Sequence, residues 1–478
     1  MLIGRETEID ILKQALQTTE AELIAIYGRR RVGKTFLIRN VYADRILFDF
    51  SGMHNSGVQQ QLENFSNTLS SVSRTKIPLA VPASWIQAFE ALKTYVTPLI
   101  KKQKSVLFFD EFPWIDSRKS GFLQAFEHFW NSWASKQNNI VVVICGSAAS
   151  WMIRKIVNNK GGLHNRITRK IRLLPFTLYE TEVYLKSRRI NLDRYQLLQL
   201  YMVLGGIPHH LKNINSGESA IQNIDRLCFT KDGMLKNEFG NLYDSLFEHS
   251  DKHVAVVRAL AKKPSGLTRS EIIEVNKLTS GGAITKLLEE LSESGFIMSH
   301  TPFNKTSKEN IYKLSDEYSR FYLKFMEGNK ASGQGTWIKQ SGSASWKSWS
   351  GSAFEGICLK HTSQIKKALG ISGVYTEESA WRYPGGNGEN GTQIDLVIDR
   401  QDFCINICEA KFSATDFIID KKYASELRDK LNIFKEKTKT KKTLFLTMIT
   451  TFGTRQNEYK LSLVQNEVKM DALFEREG

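Results

Sequence analysis

Cysteine is scarce in this 478-residue chain. Five are present (Cys145, Cys228, Cys358, Cys404 and Cys408), and only the last two lie close together. No second pair and no histidine cluster completes a metal-ligand set, so all five read as reduced thiols rather than a disulfide framework or a zinc site. There is no run of 18 apolar residues, which excludes a spanning helix. The opening MLIGRETEID has no basic stretch followed by an apolar core, so it does not read as a signal peptide, and the expected compartment is the cytoplasm. Acidic residues are outnumbered, 50 against 66 Lys+Arg, for a formal net charge of +16. That balance favours polyanionic partners over membranes, with nucleic acid, DNA first, as the expected partner.

What is present is globular composition, 41% hydrophobic and 24% charged. At roughly 150 residues per domain the length suggests about three domains. The positive charge is concentrated: residues 151–190 hold ten Lys/Arg and two Asp/Glu, whereas residues 331–478 hold 21 and 18. Three short apolar runs, ELIAIYG (22–28), SVLFFD (105–110) and IVVVICG (140–146), are separated by long helical patterns, as a parallel sheet requires. Residues 175–249 read as helical. Over 250–330 the order is helix, helix, helix, then two strand-like runs, FIMSHT and IYKLS, which is the order of a winged helix-turn-helix. Residues 331–352 hold eleven Ser or Gly and three Trp and read as a linker or flexible surface segment. Residues 353–478 again mix strands and helices. The expected class is multidomain α/β: a core over 1–174, a helical lid over 175–249, the winged helix, the linker and a C-terminal α/β domain.

Gly28-Arg29-Arg30-Arg31-Val32-Gly33-Lys34-Thr35 fits G-x-x-x-x-G-K-[ST] without a gap, after a predicted strand and ahead of a predicted helix that begins with Phe36. Such a loop wraps backbone N–H groups around phosphate, so ATP with Mg²⁺ is the expected ligand. Lys34 would reach the β- and γ-phosphates, and the Thr35 hydroxyl would meet Mg²⁺. Asp110 and Glu111 emerge from the end of SVLFFDE, where Asp110 would hold Mg²⁺ and Glu111 would polarise the attacking water. Ser147, ending the next strand, could sense the γ-phosphate.

LIGRETEIDIL, YGRRRVGKT, FFDEFPWI, ICGSAASWM, HNRITRKIRLLPF and GGIPHHL occur in that order. Together they resemble the archaeal-type P-loop ATPases related to the AAA+ and STAND classes, over roughly residues 1–330. The resemblance implies that Gly4-Arg5-Glu6 lies by the nucleotide base, that Gly205 to Pro208 belongs to the lid with Pro208 near adenine, and that Arg166 senses phosphate. Arg166 could act within its own subunit or on a neighbour, the latter requiring a homo-oligomer; its basic neighbours leave open a solvent- or nucleic-acid-facing role. In the winged helix the recognition helix is expected to begin near Thr279, with Thr279, Ser280 and Lys286 as DNA contacts. Glu289, Glu290 and Glu293 on the same helix leave equally open a role packed on the nucleotide module.

In the C-terminal part, Asp395, then Glu409 and Lys411 on a following strand, form the D…E-x-K arrangement of restriction-endonuclease-like nucleases. Period-two geometry sets Glu409 and Lys411 on one face, and Asp395 opposite Ile394 and Leu396. Asp395 and Glu409 would hold Mg²⁺, and Lys411 would position water. Glu355, on an upstream helix, matches the acidic residue of that fold's first helix. This half also resembles the nuclease-like C-terminal domain that accompanies such ATPases. Two readings follow: an ATPase whose nucleotide state controls a Mg²⁺-dependent nuclease-like domain, in a defence or mobile-element setting, or a nucleotide-switched DNA-binding regulator whose C-terminal carboxylates only brace a sheet. Trp337, Trp346 and Trp349 could stack on bases or pin the linker to a domain.

Overall fold

The computed structural model describes residues 2–74, 79–100, 103–117, 119–157, 161–247, 249–329, 333–386 and 391–476. The chain forms two compact units, Met1–Pro175 with Glu293–Gly295, and Phe176–Ser292 with Phe296–Gly478.

The first unit is built on five strands: β1 (Glu22–Tyr27), β2 (Ile46–Ser51), β3 (Ser105–Asp110), β4 (Ile140–Gly146) and β5 (Arg169–Arg172). They pair in the order β2-β3-β4-β1-β5, and every pairing is parallel. β3 and β4 are buried along their whole length, which is why SVLFFD and IVVVICG read as continuous apolar runs rather than alternating ones. One face is covered by an aromatic layer in which Phe48, Phe50, Phe65, Trp85, Phe89, Phe109, Phe122 and Phe126 stack and edge together. That packing holds the strand ends at fixed positions beside the Gly28–Gly33 turn.

The second unit starts with helices, among them Leu178–Ser187, Arg194–Leu204 and Ala220–Cys228. Gly206 is required here: a Cβ would sit 1.9 Å from the Phe176 carbonyl oxygen, while the Phe176 N–H donates to the Gly206 carbonyl at 2.7 Å. Helices Ser250–Lys262, Arg269–Val275 and Gly282–Glu293 follow, together with a small antiparallel sheet of β6 (Leu267–Thr268), β7 (Ile297–His300) and β8 (Ile311–Leu314) in the order β6-β8-β7. The last helix begins at Gly282, three residues beyond the expected Thr279, because Gly281 at φ 153° lies in its lead-in.

The remainder carries a mixed sheet of β9 (Thr376–Tyr383), β10 (Thr392–Arg400), β11 (Cys404–Lys411), β12 (Thr443–Thr450) and β13 (Asn466–Lys469). The order is β13-β12-β11-β10-β9, with β9, β10 and β11 antiparallel and β11, β12 and β13 parallel. Helix Lys421–Thr438 covers one face through Ala424, Leu427 and Phe434. Helix Ala344–Lys360 covers the other through Phe354, Ile357 and Cys358.

The stretch 331–352 differs from its reading as a linker. From Gly333 onward it is ordered into helix Thr336–Gln340 and the first turns of helix Ala344–Lys360. Trp337, Trp346 and Trp349 are 0%, 7% and 8% exposed. Trp337 stacks on Phe229 at 5.6 Å, and Phe321 and Phe325 edge against Trp337 and Trp349. The tryptophans face inward with Ser350, while most of the other Ser and Gly residues are more exposed. The helical segment, the small sheet and the mixed sheet therefore share one apolar core, running from Phe176 to Phe474. Among the described residues all five cysteines are free, and no helix is long and apolar enough to cross a membrane.

Candidate functional sites

β1 delivers the chain to the turn Gly28–Gly33, which leads into helix Lys34–Val41. Gly28, Arg31 and Gly33 take φ values of 152°, 71° and 94°. A Cβ at Gly28 would lie 2.2 Å from the Leu173 carbonyl oxygen, so only glycine lets the turn pass there. Alternating backbone hands of this kind turn successive N–H groups into one concavity, and the helix start adds its positive end.

The side chains around the turn form a connected set. The buried Lys34 Nζ donates to the carbonyls of Gly28 (2.9 Å) and Arg29 (3.0 Å) and to Ser147 Oγ (3.1 Å). Ser147 Oγ donates to Glu111 Oε1 at 2.7 Å, and the Ser147 N–H donates to Oε2 at 3.2 Å. Thr35 Oγ1 donates to Asp110 Oδ2 at 2.7 Å. Glu111 holds φ 45°, a left-handed conformation uncommon outside glycine, directly after β3. Residues from the ends of β3 and β4 thus converge on the first turn of the helix after β1.

The other sequence-predicted residues of this part fall into place differently. Gly4 and Arg5 are both left-handed (φ 67° and 66°), and the buried Arg5 Nη2 donates to the carbonyls of Leu174 (2.5 Å) and Val32 (3.4 Å). Arg5 therefore braces the phosphate turn from behind. Arg29 and Val32 are buried, Arg30 and Arg31 half-buried, and Phe36 is exposed. Arg166 is exposed in the turn ahead of β5. Pro208 belongs to the second unit, where it opens the short helix Pro208–Leu211.

In the second unit, β10, β11 and two flanking helices assemble a cluster of charge. The register of β9 on β10 shifts between Ile394 and Val397. Ile394 consequently packs on the face under helix Lys421–Thr438 and Leu396 on the opposite face, so the two do not share a face as strict alternation predicts. Such a bulge re-aims the side chain within it, here Asp395. Asp395 Oδ1 accepts from Lys313 Nζ of β8 (2.6 Å) and from Gln393 Nε2 (2.7 Å). On β11, Glu409 Oε1 accepts from Tyr423 Oη (2.7 Å) and pairs with Lys411 Nζ (2.9 Å), while Oε2 accepts from Lys430 Nζ (2.6 Å). The period-two neighbours Glu409 and Lys411 thus meet as expected from their spacing.

The electrostatics tie Glu355 into the same cluster. Burial, then the Asp395 and Glu409 carboxylates, push its carboxyl up to about 8, against the opposing pull of Lys313 and Lys411. Burial also acts to raise Asp395, but the Lys313 ammonium and the Gln393 hydrogen bond outweigh it and hold that carboxyl below the usual range. Glu409 is likewise held low, burial being outweighed by Lys430 and Lys411. A carboxyl held high with two held low in one charge cluster is a pattern suited to general acid–base work. Among the described residues no three His, Cys, Asp or Glu side chains are gathered tightly enough to hold a metal by themselves. A magnesium-type ion is commonly held by one or two carboxylates with waters; Asp395 and Glu409 are carboxylates of that kind, each engaged by lysine in this structure.

Comparison with known proteins bears on the first of the two sites. Residues 2–214 match the family described as an ATPase domain predominantly from Archaea. This part of the chain is an archaeal-type ATPase domain. Over a longer stretch the chain is similar to the uncharacterized protein MJECL04 of Methanocaldococcus jannaschii, 23% identical over 400 residues, covering 83% of this chain and 84% of that one. Among solved structures, the Walker-type ATPase paby2304 of Pyrococcus abyssi aligns at a TM-score of 0.48 and 18% identity, over 67% of this chain and 96% of that one. The ORC2 protein of Aeropyrum pernix, in its ADPNP–ADP complexes, aligns at 0.42 and 15%, over 68% and 93%.

The sequence places the Gly28–Gly33 turn between a strand and a helix, as the structure has it, but does not mark most of the partners in the second cluster. Gln393 was findable, two residues ahead of Asp395 on the same strand. Lys430 and Tyr423 lie on the helix after β11, and nothing local marks them. Lys313 lies 82 residues before Asp395 on a different sheet, and only the fold brings it there.

Proposed function

We propose that this chain is a Mg²⁺-dependent ATPase whose nucleotide state controls a nuclease-like C-terminal part acting on nucleic acid, DNA first. The ATPase half rests on the Lys34–Ser147–Glu111 chain and the Thr35–Asp110 pair within the archaeal-type domain. Lys34 is placed to hand its hydrogen bonds from loop carbonyls to nucleotide phosphates. Thr35 and Asp110 would hold Mg²⁺, which neutralises charge between the phosphates. Glu111, oriented by Ser147, would align the attacking water, and Ser147 would exchange Glu111 for the γ-phosphate as the nucleotide state changes. Gly4, Arg5 and Pro208 are assigned to the base side of the nucleotide and Arg166 to phosphate sensing, in its own or a neighbouring subunit.

The observation that carries the nuclease-like reading is the geometry on β10 and β11: Asp395 meets Lys313 at 2.6 Å, and Glu409 meets Lys411 at 2.9 Å and Lys430 at 2.6 Å. The mixed sheet, with a helix bearing Glu355 ahead of it, supports the same reading. Asp395 and Glu409 would hold a divalent cation, which would stabilise charge on a scissile phosphate. Lys411 would orient water, and protonated Glu355 can donate a proton or a hydrogen bond. Helices 250–293 with β6–β8 follow the winged-helix order and would link nucleotide state to this part.

A second reading has its own support. Asp395 and Glu409 are both engaged by lysines, as structural ion pairs are, which suits a nucleotide-switched DNA-binding regulator. Incubating the full chain with single- and double-stranded DNA and RNA, Mg²⁺ or Mn²⁺, with and without ATP, tests both. Cleavage that disappears in Asp395→Ala supports the nuclease. Normal ATP turnover without any cleavage supports the regulator.

A further inference from the structure

A cavity of about 450 Å³ lies in the second unit between helix Ser250–Lys262, β8, the helical turns from Glu317 to Met326, and helix Ala344–Lys360. That volume suits a small ligand or one residue of a polymer. Cations outnumber carboxylates in its lining, while Asp395 and Glu317 act on Lys313 and Arg320 from beyond it. Arg258, Lys262, Lys313, Arg320 and Lys324 line it, against the carboxylates Glu327 and Glu355. Arg258 is paired with Glu327 at 2.6 Å, but Lys262 and Lys324 are exposed at its rim.

The interior is shaped around Arg320. Its Nη2 donates to Ser352 Oγ at 3.0 Å. Its Nη1 lies 2.5 Å from where a Cβ on Gly356 would stand, so the guanidinium packs closely on helix Ala344–Lys360 at a glycine. That helix presents Ser348, Ser352 and Glu355 to the cavity at intervals of four and three; Ser352 Oγ donates to the Trp349 carbonyl (3.1 Å) while holding Arg320, and Ser348 adds a hydroxyl beside the guanidinium. A planar guanidinium with hydroxyls beside it matches a tetrahedral oxyanion, and rim lysines raise its local concentration. Lys313 belongs to both places: it lines the cavity, and its Nζ is 2.6 Å from Asp395 Oδ1.

We propose that this cavity binds a phosphate group, carried by a nucleic-acid strand or by a free nucleotide, with Arg320 and Lys313 as the inner donors and Lys262 and Lys324 as the attracting rim. A phosphate held there stands one lysine away from Asp395. That link to strand cleavage rests on the nuclease-like reading, whereas binding itself does not.

The test uses the full chain in EDTA, on a Lys34→Ala background so that the phosphate turn does not contribute. Binding of a fluorescent single-stranded oligonucleotide is followed by anisotropy, and binding of inorganic phosphate and of AMP by calorimetry. The Lys262→Glu/Lys324→Glu variant changes only exposed residues, and its melting temperature serves as the folding control. It is expected to weaken oligonucleotide binding about tenfold and to lower the salt slope by about one per lysine. Arg320→Gln removes the inner donor and is expected to weaken binding of whichever ligand the cavity takes. Loss for the oligonucleotide alone identifies a strand; loss for AMP or phosphate identifies a free ligand. Unchanged affinity for every ligand in both variants overturns the proposal. Lost binding in a protein that never cleaves leaves the proposal standing and removes the nuclease reading, while cleavage with binding intact in both variants does the reverse.

Discussion

Lys313 Nζ of β8 lies 2.6 Å from Asp395 Oδ1 of β10, joining the small antiparallel sheet to the mixed sheet through one ion pair. The side chains are 10% and 26% exposed, so the pair is only partly screened by water. Lys313→Met should lower the melting temperature, and adding Asp395→Asn should recover part of the loss. The coupling from the double-mutant cycle is expected to be about 0.5–3 kcal/mol, as for residues sharing one network. Strict additivity of the two changes would remove the pair as a link between the sheets. Because Asp395 is held below the ordinary carboxyl value, its contribution is present above about pH 3.9 and is lost as pH falls through its folded value.

Glu355 behaves in the opposite sense. Its carboxyl is pushed up to about 8 by burial and by Asp395 and Glu409, above the ordinary glutamate value of about 4.3. The folded state therefore holds a proton that the unfolded chain has released. Its contribution is full below about pH 4.3 and is lost as pH rises toward about 8. In EDTA, Glu355→Gln should melt higher than the parent protein at pH 8 and differ little at pH 5. A melting difference that does not change with pH would show that Glu355 stays ionised.

Contiguity decided what could be read from sequence. The phosphate turn is eight adjacent residues, and its strand-to-helix context is local, so its elements were legible. Glu409 and Lys411 were legible because a strand puts alternate residues on one face. The bulge between Ile394 and Val397 was not, since it arises from pairing with β9 rather than from β10 itself. The Lys313 and Lys430 partners were hidden for the same reason. The stretch 331–352 was misread because Ser and Gly content suggested a linker. Its helical spacing was present all along: Trp346, Trp349, Ala353 and Ile357 recur at intervals of three and four and line one buried stripe.

At the phosphate turn, Lys34→Ala should abolish measurable nucleotide binding and turnover, since the ammonium it removes is the one aimed into the loop. Glu111→Gln should retain binding and lower turnover about 10²-fold or more, the range expected when a group that aligns or deprotonates water is lost. Ser147→Ala removes the hydroxyl between Lys34 and Glu111 and should lower turnover with little effect on affinity. Unchanged turnover in Glu111→Gln would reassign that residue to a structural role.

Trp337 is fully buried between Phe229, Phe321, Phe325 and Trp346. Asp225 fixes its helix, accepting from the Gly335 N–H (2.7 Å) and the Trp337 N–H (2.6 Å). Trp337→Ala should cost about 3–5 kcal/mol, the range for deleting a large buried aromatic. Denaturant titration would measure the cost, with the midpoint falling at unchanged slope if the transition is two-state. Limited proteolysis gives an independent reading, because a flexible linker would be cut between 333 and 352 under native conditions, whereas the packed helices should resist. Cleavage there at low protease, together with a Trp337→Ala protein as stable as its parent, would return the segment to a linker and separate the mixed sheet from the helices before it.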